Sequence, residues 1–221
     1  MYARIGRTCL LPAILFFVGY SFAQSPVPVR KEPRHKVVLE NEYVRLIEVH
    51  LKPHDTTLAH IHAAPSVIVF LSRSTIGSQI LGAPPTRGSH LLPGQIGYAA
   101  YDENPITHRV WNEGDSTFHV MDIELVKTKA ASDSCDILLG SGVQMPVTKS
   151  LVRVYRLDLA VGNEPAFAQS TCAHLVIDIE GVVLAGDKRL SRGNFSFFGP
   201  QEKVAIKSLG KSATCVVLEL K

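Results

Sequence analysis

The sequence predicts an all-β protein built as two tandem β units, and three observations predict it. From about residue 36 onward, short runs of Val, Ile, Leu and Tyr alternate with Gly, Pro, Asp and Asn punctuation. No segment sustains a helical period for three turns. The chain also repeats itself: Tyr43–Ser72 aligns without a gap onto Leu151–Glu180 at an offset of 108 residues. Many short strands without long helices argue for sandwiches or barrels.

The elements follow in chain order. Arg4 and Arg7 form a basic start with no acidic residue near them, and an apolar stretch runs from Cys9 to Phe22. Ser21-Phe22-Ala23 then places small residues where a signal peptidase cuts, so residues 1–23 read as a signal peptide. The apolar stretch is short and broken by Pro12, which argues against a stable membrane anchor. Cleavage would leave 198 of the 221 residues, 21 basic and 20 acidic, with a net charge of +1. That balance excludes the footprint of a nucleic-acid binder and of a charged disordered chain. Residues 24–35, QSPVPVRKEPRH, are expected to form an extended Pro-rich tether. A first unit covers 36–127, a Ser-, Ala- and Gly-rich linker 128–149, and a second unit 150–221. Export implies a periplasmic or secreted protein.

In the repeat, Val44-Arg45 meets Val152-Arg153, and Ile47, Val49 and Leu51 meet Tyr155, Leu157 and Leu159. A second block, His108–Gly114, matches Val204–Gly210, and each unit closes on a similar strand, Ile123–Leu125 and Leu218–Leu220. The histidines are not shared. Seven of the nine lie between His50 and His119, while His60, His62 and His108 face Ala168, Ser170 and Val204 in the second copy. A β scaffold is present twice, and a histidine cluster once.

The spacing of those histidines has a chemical meaning. Residues i and i+2 of a strand project to one face, so His60 and His62 can reach one ion together, with His108 approaching from a neighbouring strand. Three neutral imidazoles suit Zn, Fe, Mn, Ni or Cu and leave positions open for water or a ligand.

These residues resemble the cupin superfamily in its two-domain, bicupin form. The first motif, HxH followed by Glu after a turn, is met by Pro53-His54, His60-Ile61-His62 and then Ser66 where the Glu would stand. The second motif, a His followed four residues on by Asn, is met by His108-Arg109-Val110-Trp111-Asn112, although Glu103 and Pro105 replace the usual turn. The likeness covers about 36–127 well and 150–221 as scaffold alone. It implies two jelly-roll β-barrels, a divalent metal in the first, and a small-molecule ligand. The second unit is then kept for packing or for contacts in a homodimer. Without the Glu, an anionic or enolate-like ligand is favoured as the completing group. Some cupin dioxygenases also use three histidines, so an oxygenase acting on an enolisable or phenolic substrate stands beside a binding module and a sugar-binding or interaction barrel.

Further site candidates follow from position. Tyr98, Tyr101, Asp102 and Glu103 approach His108 along the chain, and Tyr101 and Glu103 are the acid–base candidates. Ser66, Trp111 and Asn112 are the candidate ligand contacts. His50, His54, His90, His119 and His174 read as structural. Beyond the signal, Cys135, Cys172 and Cys215 allow at most one intramolecular pair in an oxidising compartment, and which pair stays open.

Overall fold

The computed structural model describes residues 25–127, 135, 137–167 and 171–221. The expected signal peptide lies outside the described residues, as do Ala168 and Ser170. The first unit contributes β1 (Val27–Pro28), β2 (His35–Glu40), β3 (Val44–Leu51), β4 (His60–His62) and β5 (Ser66–Phe70). It continues with β6 (Ser74–Ile80), β7 (Thr86–Leu91), β8 (Ile96–Ala99), β9 (Ile106–Asn112) and β10 (Phe118–Leu125). The second contributes β11 (Val143–Thr148), β12 (Val152–Ala160), β13 (Ala166–Phe167), β14 (Ala173–Glu180) and β15 (Val182–Ala185). Then come β16 (Lys188–Ser191), β17 (Phe195–Phe198), β18 (Val204–Ser208) and β19 (Ser212–Leu220). Among the described residues there is no α-helix.

The internal repeat is a repeat of topology. One sheet of the first unit runs β2-β3-β10-β5-β8, and its counterpart in the second runs β11-β12-β19-β14-β17. The facing sheets run β1-β4-β9-β6-β7 and β13-β18-β15-β16. Each unit is therefore a two-sheet jelly-roll sandwich, and its sheets do not hydrogen-bond into the closed barrel expected from sequence.

Strand alternation explains three cores. The odd residues Ile47, Val49 and Leu51 of β3 point inside the first unit with Phe118 and Val120, and Tyr155, Leu157 and Leu159 fill the second. The residues between them turn outward and meet. Val44, Leu46, Val67, Val69, Met121 and Ile123 pack against Val152, Val154, Leu175, Ile177, Val216 and Leu218 in one continuous core between the units. Each fully buried aliphatic side chain there contributes about 1.5–3 kcal/mol relative to exposure.

Two segment boundaries change. Residues 25–34 are not a free tether. Val27 pairs with His60 in a parallel bridge, Val29 is buried, and the buried Glu32 carboxylate accepts the Leu58 N–H at 3.0 Å and the Arg34 N–H at 2.6 Å. Arg34 in turn forks onto Asp55 at 2.9 and 2.7 Å. Prolines at 26, 28 and 33 favour an extended path, and here that path is an edge strand. The expected linker 128–149 likewise contains β11, which pairs with β12 as β2 pairs with β3. Cys135 is disulfide-bonded to Cys172, Cα to Cα 6.1 Å, which ties that connection to the start of β14. Cys215 is free and buried.

Candidate metal centre

The histidines converge as strand geometry requires. In β4, His60 and His62 are buried and Ile61 between them faces out, while β9 lies antiparallel with His108 directly opposite His60. The ring centroids stand 5.0 Å apart for His60–His62, 4.6 Å for His60–His108 and 4.9 Å for His62–His108. One ring nitrogen from each lies within 4.8 Å of the others.

They close one side of a cavity of about 360 Å³ between the two sheets. Its other walls are mostly apolar: Val49, Leu51, Ile68, Phe70, Val110 and Phe118. Burial favours the neutral form of two of these imidazoles. It lowers the His60 pKa to about 4, against the raising effect of a hydrogen bond to Leu58, and the His108 pKa to about 3. The Leu58 carbonyl, 2.9 Å from His60 Nδ1, can only accept, so Nδ1 carries the proton and Nε2 keeps its lone pair.

This donor set fits a divalent transition ion. Three imidazoles bring one ring nitrogen each within 4.8 Å of the others, and a polar remainder around them is unsatisfied: His62 Nδ1 and both Asp122 oxygens are buried without a hydrogen-bond partner. His62 Nδ1 and Asp122 Oδ2 are 3.3 Å apart, close enough for an ion pair but not aligned as a hydrogen bond.

The remaining candidates separate. Tyr101 lines the cavity with its ring 4.9 Å from His62, and burial, then the Asp122 charge, raises its hydroxyl pKa. Glu103 does not reach the site. It sits exposed in the turn after Ala100, where its N–H donates to the Ala100 carbonyl, and Asp102 is exposed beside it. Tyr98 borders the cavity and also packs against the inter-unit core, with Lys149 5.1 Å from its ring. Ser66 is buried but outside the cavity lining, its hydroxyl donating to the Ala64 carbonyl at 3.2 Å. Trp111, one residue out of phase with Val110, packs on the outer face. Its indole donates to Glu113 at 2.7 Å, Arg87 lies 5.4 Å above it, and any Cβ at Gly77 would collide with the ring. Asn112 is a structural tie, donating to the Leu51 and Ser116 carbonyls at 3.1 and 2.7 Å.

Two ionisable cavity residues escaped sequence reasoning. Asp122 lies on β10, where a polar residue at an inward position between Val120 and Glu124 was the available signal. His35 stands edge-on to His60 at 4.7 Å between centroids and donates to the Val29 carbonyl at 2.9 Å; burial lowers its pKa. It was hidden by the assignment of its segment to a tether. In the second unit, Val204 occupies the position of His108, and His174 is buried against Phe167 with ring centroids 4.7 Å apart.

No protein-family model and no curated protein sequence matches the chain. Solved structures do. A salicylate 1,2-dioxygenase variant from Pseudoaminobacter salicylatoxidans superposes with a TM-score of 0.60 at 10% identity, covering 87% of this chain and 78% of that one. Quercetin 2,3-dioxygenase from Acinetobacter baumannii gives 0.54 at 12% identity over 82% and 75% of the two chains. A cupin 2 conserved barrel domain protein from Leptotrichia buccalis gives 0.54 at 10% identity over 85% and 88%. Likeness at this level establishes the fold. The two matching sandwiches, the shared core between them and the histidine-lined cavity in the first make this chain a cupin-fold protein of the bicupin arrangement.

Proposed function

We propose that this is an exported, metal-dependent cupin-fold protein that binds a small ligand at a divalent ion held by His60, His62 and His108. One observation carries the reading: three imidazoles, two of them buried and the third partly so, bring ring nitrogens within 4.8 Å of one another at one side of an apolar cavity of about 360 Å³. A bound divalent ion would supply Lewis acidity and a point of attachment for an anionic oxygen. The protein's own residues do the rest. Leu58 fixes the His60 tautomer, Asp122 stands behind His62, and Tyr101 lines the same cavity beside His62 as a phenolic proton donor. Phe70, Phe118, Ile68 and Val110 exclude water and accept a flat apolar body. A phenolic or enolisable compound combines that body with an ionisable oxygen.

The same features support a dioxygenase as the second reading, since two of the similar structures are named as a salicylate and a quercetin dioxygenase. A third, non-catalytic interaction or sugar-binding barrel fits the apolar walls less well. Localisation in the periplasm or outside the cell rests on the N-terminal sequence and accords with the Cys135–Cys172 disulfide. Metal analysis of the purified chain beside His60→Ala and His108→Ala tests the site, and equal metal content in all three overturns it. Oxygen uptake by the Fe(II)-loaded protein with phenolic or enolisable compounds then separates turnover from binding.

A further inference from the structure

A second group of ligating side chains lies outside the cavity. In β3 and β10, Leu46 and Ile123 face the second unit, and further along the same faces stand Glu48 and His50 of β3 and His119 of β10. His50 and His119 are directly opposed across the pair, their rings stacked at 4.0 Å between centroids and 24° between planes. Both Nε2 atoms address one oxygen: His119 Nε2 is 3.0 Å and His50 Nε2 3.3 Å from Glu48 Oε1. A tetrahedral ion with bonds near 2.0–2.1 Å holds its ligands about 3.3 Å apart. Two of the three ligand pairs therefore already stand close to the edge length of such a shell, and the third lies within 4.8 Å.

We propose that Glu48, His50 and His119 form a second divalent-cation site, at the seam between the two units, taking Zn²⁺ through two imidazoles and one carboxylate oxygen. The arrangement without an ion is poor in partners, because one carboxylate oxygen must serve two parallel, stacked ring N–H groups. A cation satisfies the three together and leaves a position for water, since the His50 side chain is half exposed. The second unit forms the floor. Gly193, at φ +79°, passes so close that its Cβ would stand 3.1 Å from His119 Cε1, and Arg192 beside it is held on the Leu71 carbonyl. Arg192 and, across β2, Lys36 oppose a cation, and Glu48 offsets them. This site is accordingly the weaker of the two.

The test titrates untagged full chain, stripped by a chelator, with Zn²⁺ in a calorimeter. Wild type is expected to take two ions, and His50→Ala to lose one of them by at least a tenfold weakening. His119→Gln should do the same, while His60→Ala should lose the cavity ion and keep the seam ion. His50 is exposed enough that its replacement leaves folding intact. A wild type that takes one ion, lost in His50→Ala, still supports the seam site and removes the cavity site. Identical titrations of wild type and His50→Ala overturn the seam site, whatever His60→Ala does.

Discussion

Asp122 and His62 face each other across the first sandwich, from β10 in one sheet and β4 in the other, with Oδ2 3.3 Å from Nδ1. The cupin pattern would place a carboxylate four residues after His62, and Ser66 stands there instead. Asp122 brings a carboxylate to the cavity from a different strand. It stands behind an imidazole rather than in the set of three, a position from which a small turn of either side chain would let it accept the ring N–H and raise the basicity of the other nitrogen.

Asp122→Asn is therefore expected to weaken metal binding by about 10–100-fold while the protein stays folded. Competition against a chromophoric chelator reads this directly. Unchanged affinity would show that Asp122 acts on the ligand and not on His62.

Glu32 carries the N-terminal segment onto the site. It is 1% exposed and accepts both the Leu58 and Arg34 N–H groups. Glu32→Ala leaves the Leu58 amide without its acceptor, at a cost of about 1–3 kcal/mol. It also frees the Leu58 carbonyl that fixes His60. Urea unfolding should show a lower midpoint and metal titration a weaker site. A midpoint that falls without any loss of metal affinity would confine Glu32 to stability.

Much of this was legible in the sequence. Alternation and self-alignment located both units, because a strand buried on one face writes every second residue as apolar and one buried on both reads as a nearly continuous apolar run. The metal trio was legible for the same reason: HxH on a strand needs no tertiary information to share a face. What failed depended on partners far along the chain. Pro-rich residues 25–34 look like a tether until Leu58 supplies an amide for Glu32. Glu103 follows Tyr101 by two residues, but both sit in a turn, where alternation no longer predicts direction. Trp111 was out of phase by a single residue, enough to move an indole to the opposite face.

His174 gives the second unit a measurable pH dependence. Burial lowers its pKa from the ordinary 6.5 to about 4, and the nearby Glu219 is engaged by Arg153 at 2.8 Å. The unfolded chain thus takes up this proton before the folded one does. Stability is complete above pH 6.5 and declines as pH falls toward about 4, by roughly 3 kcal/mol for this group. Urea unfolding of metal-free protein at pH 7 and 4.5 should show that decline, and His174→Leu should remove a corresponding part of it. Equal declines in both proteins would mean that His174 is hydrated in solution.

The shared core makes the second unit indispensable to the first. Val44, Leu46, Val67, Val69, Met121 and Ile123 are each 0% exposed, and the side chains that cover them come from β12, β14 and β19. Cutting the chain after residue 127 turns that face into a contiguous apolar patch of the kind monomeric proteins do not carry. Within the intact chain, Leu218→Ala tests the same contact more gently: a cavity at a fully buried leucine costs about 2–5 kcal/mol. Leu218 touches none of the metal-site residues, so its loss should lower stability and leave the metal stoichiometry unchanged. If the units are one cooperative body, wild type and variant each unfold in a single transition by every probe. A monomeric, folded 25–127 fragment, or two separate transitions in the full chain, would show that the first sandwich stands alone. The empty second copy would then need a reason for being there other than packing.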